Sequence, residues 1–127
     1  MKAVVLSNKF PKSDIPYSHG FKGGPFVFTS GQVGVDPETG EVAEGIEEQT
    51  RQTLENVETV LEAAGYSRKD VIKAIVFLSD IRDYNAMNKV YGSFFSKPYP
   101  ARSCVEAKLA NPTLKIEIET IAYKQSP

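Results

Sequence analysis

Arg102 and Glu117 are the residues of this chain best suited to chemistry. They sit in Pro100-Ala101-Arg102-Ser103-Cys104-Val105-Glu106 and in Lys115-Ile116-Glu117-Ile118-Glu119, two runs that alternate as strands do. An arginine keeps its charge near neutrality and offers a planar fork of donors matched to a carboxylate, so it suits a small anionic substrate. A carboxylate beside it could handle a water. Arg102, Cys104, Glu106 and Lys108 point to one side of the first run, and Val105, Ala107 and Leu109 to the other. In the second, Leu114, Ile116 and Ile118 oppose Lys115, Glu117 and Glu119. If the two runs pair across the Asn111-Pro112 turn, Arg102 and Glu117 share a face. By residue type alone, both charges are also explained as the solvated side of amphipathic strands.

The other candidates are isolated. Cys104 is the sole cysteine and His19 the sole histidine, so there is no internal disulfide, no His/Cys cluster for zinc and little support for thiol catalysis. Cys104 reads as an inert, half-buried small residue. Ser30-Gly31-Gln32 breaks a strand with a glycine, which marks a bulge or a place where backbone or ligand comes close. Tyr17 and Asn88 are lone polar groups. Gly20-Phe21-Lys22-Gly23-Gly24 lacks the spacing of a phosphate-binding loop and lies in a hairpin, so nucleotide chemistry has no support.

A chain of 127 residues with 41% hydrophobic and 24% charged residues is sized for one compact domain, residues 1 to 127. A formal charge of −1 supplies no basic field for nucleic acid or anionic lipid. The apolar run Ala3 to Leu6 is too short for a signal-peptide core or a membrane span, so the expectation is a soluble, cytoplasmic protein with a small-molecule partner.

These residues must be positioned by an α+β arrangement. Lys2 to Leu6 reads as a strand, and prolines 11 and 16 enforce a loop after it. Tyr17 to Lys22 and Phe26 to Val33 form a hairpin about Gly23-Gly24-Pro25, and Asp36-Pro37-Glu38-Thr39-Gly40 is a turn. From Ile46 the apolar positions step by threes and fours to Ala64, predicting an amphipathic helix stopped by Gly65. Ser67 to Asp70 resembles a capping box, and Val71 to Leu78 is a nearly continuous apolar strand that belongs inside a sheet. Asp80 can cap a second helix with Ile81, Tyr84, Met87, Asn88, Tyr91, Phe94 and Phe95 on one stripe, ending before Pro98. The order β-β-β-α-β-α-β-β packs two helices on one face of a single sheet. Because Phe26 to Phe28 and Val71 to Leu78 are apolar on both sides, the uncovered face calls for self-association.

Taken together, the residues resemble the Rid (YjgF) family of reactive-intermediate imine deaminases, whose signature is a Pro-Ala-Arg-Ser stretch followed by a Glu-Ile pair. Here these are Pro100-Ala101-Arg102-Ser103 and Glu117-Ile118. The resemblance extends over nearly the whole chain: Pro16-Tyr17-Ser18, Phe28-Thr29-Ser30-Gly31-Gln32, Asp36-Pro37 with Gly40, Asn56 to Gly65, Asn88-Lys89-Val90-Tyr91 and Phe94-Phe95. It departs at His19-Gly20, where many relatives have Gln-Ala, and in a shorter link from Phe95 to Pro100.

The resemblance implies a six-stranded mixed sheet with two helices on one face, similar to chorismate mutase, assembled as a homotrimer with sites between subunits. It implies hydrolysis of imines and enamines, such as those from 2-aminoacrylate, to 2-keto acids and ammonia with no cofactor. Arg102 would bind the substrate carboxylate and Glu117 would hold or activate water. Gly31 and Cys104 would line the pocket, and Tyr17, Ser30 and Asn88 would complete it. The alternatives are a non-catalytic sensor of small keto or amino acids in the same cleft, a translation-inhibiting ribonuclease, which the charge disfavours, and a chorismate-mutase-like isomerase.

Overall fold

The computed structural model describes residues 1–125. Its strands and helices are β1 Lys2–Val5, β2 Gly20–Gly23, β3 Phe26–Val33, α1 Gly45–Ala63, β4 Val71–Leu78, α2 Tyr84–Phe94, β5 Ala101–Glu106 and β6 Ile116–Tyr123. The strands form one mixed sheet in the order β1-β2-β3-β6-β4-β5. β4 and β5 run parallel, joined through α2, and every other neighbouring pair is antiparallel. The element order, the α+β class and the mixed six-stranded sheet agree with the sequence reading.

The core forms where the stripe of α1 meets the sheet. Leu54, Val57, Val60 and Leu61 are fully buried, together with Val27, Ala74, Val76, Ile116 and Ile118 from the strands and Met87 from α2. Two buried amides in the same helix tie down loops at the sheet's end. Gln49 donates from Nε2 to the Thr113 carbonyl (3.0 Å) and accepts from the Lys115 N–H (2.7 Å). Asn56 Nδ2 donates to the carbonyls of Val33 and Val35, each at 2.9 Å. Buried polar groups are tolerated when paired in this way. The helix ends in a Schellman motif: Gly65, at φ +81°, donates to the Glu62 carbonyl, while the Tyr66 N–H reaches back to Leu61.

The capping box at Ser67 is present and opens a short 3₁₀ turn over Arg68–Asp70. Asp80 caps a 3₁₀ turn, Ile81–Asp83, and α2 proper begins one step later at Tyr84. The turn at Asp36 closes through a Gly40 N–H bond to the Asp36 carbonyl at 2.8 Å. The Ser30-Gly31 glycine does mark a bulge, since the β3–β6 register shifts between Thr29 and Gln32.

Two expectations about the last strands fail. β5 and β6 do not pair; both flank β4, one on each side. The β5 alternation itself holds, with its polar side turned toward the helices. Arg102 and Cys104 stand opposite Ala74 and Val76, on the helix-covered face, whereas Val105 is 45% exposed on the other. The strand stops at Glu106, short of Leu109. Being an edge strand reached through α2, β5 packs its polar positions against that helix, a choice that period-two alternation cannot distinguish from its mirror image. Glu117 stands opposite Phe77 and Val33, while its neighbours Ile116 and Ile118 are buried under the helices. Arg102 and Glu117 therefore lie on opposite faces of the sheet, contrary to the expectation that they share one.

Candidate active site

Arg102 is held by one face of α2. Tyr84, Met87, Asn88 and Tyr91 recur at the i, i+3, i+4, i+7 spacing that lines up side chains on a helix. The guanidinium donates from Nη1 to Asn88 Oδ1 at 2.7 Å and from Nη2 to the Tyr84 hydroxyl at 3.0 Å. Its carbon lies 4.8 Å from the Tyr91 ring centroid and 5.5 Å from that of Tyr84, within cation–π range. Met87 Sδ stands 3.9 Å from Nη1. No carboxylate among the described residues pairs with Arg102; the ion pairs are Arg51–Glu48, Arg68–Glu58, Arg82–Asp80 and Lys89–Glu47. The charge is oriented by neutral acceptors and remains available to an anion.

Cys104 lies two residues along the same face, packed against the core. Burial pushes its thiol above the ordinary value, and the Arg102 charge offsets this only in part. A thiol held neutral is a poor nucleophile, so nothing in its setting activates Cys104.

Glu117 occupies the opposite side, against the bulge in β3. A Cβ placed on Gly31 would fall 2.1 Å from Glu117 Oε2, so the carboxylate fills the space a side chain would need. Burial raises the Glu117 carboxyl above its usual range, with a further push from the Glu119 charge. A carboxylate perturbed in this sense is a stronger base than a solvated one.

Ser30 and Tyr17 approach the same bulge through the Ser18-His19 backbone. The Ser30 hydroxyl donates to the Ser18 carbonyl, and the Ser30 N–H to the His19 carbonyl at 2.8 Å. The His19 ring stacks on Phe10 with centroids 4.2 Å apart and meets Tyr17 edge-on at 5.2 Å. Tyr17, His19, Gly31, Asp36 and Asn56 line a cleft of about 250 Å³. A wider recess of about 550 Å³ lies on the other side of Tyr17 and His19, under residues 4 to 14.

The candidate residues thus fall into two separate groups on each chain. One holds Arg102, Asn88 and Cys104; the other holds Glu117, Gly31, Ser30 and Tyr17. The sequence reading missed Tyr84 and Tyr91 as partners of Arg102, although their spacing with Asn88 was visible as an apolar stripe. It also missed Phe10 and Asn56 in the cleft, which no local pattern signals. Among the described residues no group of three or more His, Cys, Asp or Glu could hold a metal ion, and no helix is long and apolar enough to cross a membrane.

The chain is similar to known proteins over nearly its whole length. Residues 7–124 match the family described as endoribonuclease L-PSP. A RutC family protein of Pyrococcus horikoshii is 48% identical over 126 residues, covering 98% of this chain and 100% of the relative. A protein of Salmonella typhimurium named 2-iminobutanoate/2-iminopropanoate deaminase is 42% identical over 128 residues, covering 98% and 100%. The crystal structure of E. coli TdcF with bound serine superposes with a TM-score of 0.89 at 38% identity, covering 97% of this chain and 99% of TdcF. By its sequence over nearly its full length and by its fold, the chain belongs to the Rid family, the endoribonuclease L-PSP family of these matches.

Proposed function

We propose that the protein hydrolyses small 2-imino acids, such as 2-iminobutanoate and 2-iminopropanoate, to 2-keto acids and ammonia. The observation that carries the reading is Arg102: a guanidinium fixed by Asn88 and Tyr84 with no acidic partner among the described residues. Such a cation suits the substrate carboxylate. The names of relatives such as the Salmonella protein support the same chemistry.

An iminium carbon is already electrophilic, so a positioned water and a base suffice. Glu117 takes a proton from water as the water oxygen bonds to C2 and the C=N pair moves onto nitrogen. Glu117 then returns that proton to the amino group of the carbinolamine. The C–N bond breaks, ammonia departs with the bonding pair, and the hydroxyl oxygen closes C=O while its proton passes to solvent. Burial of Glu117 favours this role by raising its basicity. Tyr17, Ser30 and Gly31 shape the water side of the site, and Asn88 and Cys104 the carboxylate side.

The reaction further requires two copies of the chain. β4 separates β5 from β6, which puts their backbones roughly 10 Å apart at the usual strand spacing. Arg102 and Glu117 also project to opposite faces. An acid of three or four carbons cannot touch both within one chain, so Arg102 of one copy would meet Glu117 of the next. The uncovered sheet face, where Val4, Phe28, Val105 and Tyr123 are all at least 40% exposed, offers the apolar surface for such assembly. A homotrimer, the state the family resemblance implies, closes the arrangement with equivalent sites.

The test generates 2-iminobutanoate in situ with an amino-acid oxidase and follows its loss. Wild type should accelerate hydrolysis and Arg102→Ala should not, while retaining wild-type circular dichroism. Unaltered hydrolysis by the variant would sink the assignment.

A further inference from the structure

The residue of the Arg102 cradle that lies most open to solvent is Tyr84, at 40% exposure; Met87 and Tyr91 beneath it are buried. Its ring begins α2, so the preceding 3₁₀ turn holds the phenol at the rim rather than in the core. The phenol oxygen accepts the Arg102 Nη2–H at 3.0 Å, and its own O–H has no acceptor among the described residues. A hydroxyl that accepts from a cation is polarised, and its remaining hydrogen points away from that donor. Arginine has five N–H donors; Asn88, Tyr84 and, weakly, Met87 Sδ take three of them, which leaves two for a ligand.

We infer that Tyr84 is a specificity-determining residue of the same site: its hydroxyl donates to the ligand carboxylate that Arg102 grips, and so selects acids over neutral analogues. This rests on the carboxylate-binding role of Arg102 in the proposed function. The carboxylate takes the free guanidinium N–H groups with one oxygen or both, and the phenol O–H, already on Nη2, is placed to complete its coordination. The ring also stacks toward the guanidinium at 5.5 Å and limits its swing. Asn88 differs from Tyr84 in this respect. It is the amide oxygen that faces the guanidinium, so the half-buried Asn88, one turn further along α2, restrains Arg102 while the phenol stands at the opening.

The chemistry predicts selectivity as well as affinity. A carboxamide presents an N–H₂ group where the acid presents an oxygen, leaving both Nη2 and the phenol O–H facing a donor. A site built to bond a particular group rejects the analogue lacking it, because its own polar groups then go unpaired.

Tyr84→Phe removes one oxygen and keeps the ring, at a position exposed enough that folding is not at stake. Calorimetric titration with 2-ketobutanoate and with 2-ketobutanamide reads the two ligand classes without requiring turnover. The variant should bind 2-ketobutanoate about tenfold more weakly, the usual loss for a hydrogen bond to a charged group, with no change toward the amide. In the coupled imine assay the same variant should raise KM about tenfold and keep kcat within about twofold, since the contact is equal in ground and transition states. Equal affinity of wild type and variant for 2-ketobutanoate overturns the inference. So does parallel weakening toward both ligands, which would make Tyr84 a packing residue, and so does a wild type that fails to bind 2-ketobutanoate. Selective weakening toward the acid in a protein that hydrolyses no imine leaves this inference standing and removes the hydrolase reading.

Discussion

Replacing Gly31 with alanine probes the water side of the site with the smallest available wedge. Gly31 is not among the glycines held at positive φ, so alanine meets no backbone strain, and the conflict is purely one of space. The new methyl would lie 2.1 Å from Glu117 Oε2, 2.7 Å from Cδ and 2.9 Å from Cγ. Ordinary contact begins near 3.4 Å, so the carboxylate must retreat by about 1.3 Å. The clashing atoms are the end of a flexible side chain, which can turn away, so stability should fall by only about 1 kcal/mol. Misplacing a catalytic group by about 1 Å can cost roughly 100-fold in rate. Gly31→Ala should therefore lower kcat for in situ 2-iminobutanoate by about two orders of magnitude while thermal unfolding moves by only about 5 °C. The double variant Gly31→Ala with Glu117→Gln should be no slower than Glu117→Gln alone, because both act on one group. Activity of Gly31→Ala within about threefold of wild type would refute the placement of Glu117 as the base.

Further outcomes can be checked with the same tools. Because burial raises the folded Glu117 pKa, its proton is bound more tightly in the native state. The resulting stability is present at low pH and is lost as pH rises through the shifted value. Glu117→Gln should thus melt higher than wild type at pH 8, with the difference shrinking at acid pH, even as activity disappears; an unchanged gap across pH would contradict a Glu117 pKa raised by burial. Glu58 behaves oppositely. Its hydrogen bonds to Arg68, stronger than the opposing burial effect, hold its carboxyl below the ordinary value, so that contribution is present near neutrality and lost on acidification. Arg68 also stacks on Phe94 at 3.8 Å, and Arg68→Ala should cost about 1–2 kcal/mol in urea unfolding without affecting turnover. Leu54→Ala, at a fully buried α1 position, should cost about 2–5 kcal/mol by the same measurement.

The elements were legible because their signals are local. The three-and-four spacing from Ile46, Gly65 as a stop, the Ser67-Asp70 box and the Ser30-Gly31 interruption each specify their own backbone. Strand order was not legible, since β6 reaches back to β3 across the intervening helices and only long-range packing decides that. The same limit misplaced the site pair. Alternation correctly separated Arg102 from Val105 and Glu117 from Ile118, but which side meets α2 depends on where an edge strand docks. Tyr84, Met87, Asn88 and Tyr91 form a recognisable helical stripe, and their spacing is equally that of an ordinary core face; only the arriving guanidinium distinguishes the two. His19 was visible as the lone histidine, but not its stacking on Phe10, nor the burial that lowers its pKa.

The central claim, a hydrolytic site shared between copies with Arg102 from one and Glu117 from another, has a direct test in complementation. Arg102→Ala and Glu117→Gln chains, each inactive alone, are mixed in equal amounts, unfolded and refolded together, and assayed on 2-iminobutanoate made in situ. Random assembly pairs an intact Arg102 with an intact Glu117 across an interface in roughly one quarter of sites, so about a quarter of wild-type activity should return. No recovered activity in a mixture that has reassembled to the wild-type size would contradict the account.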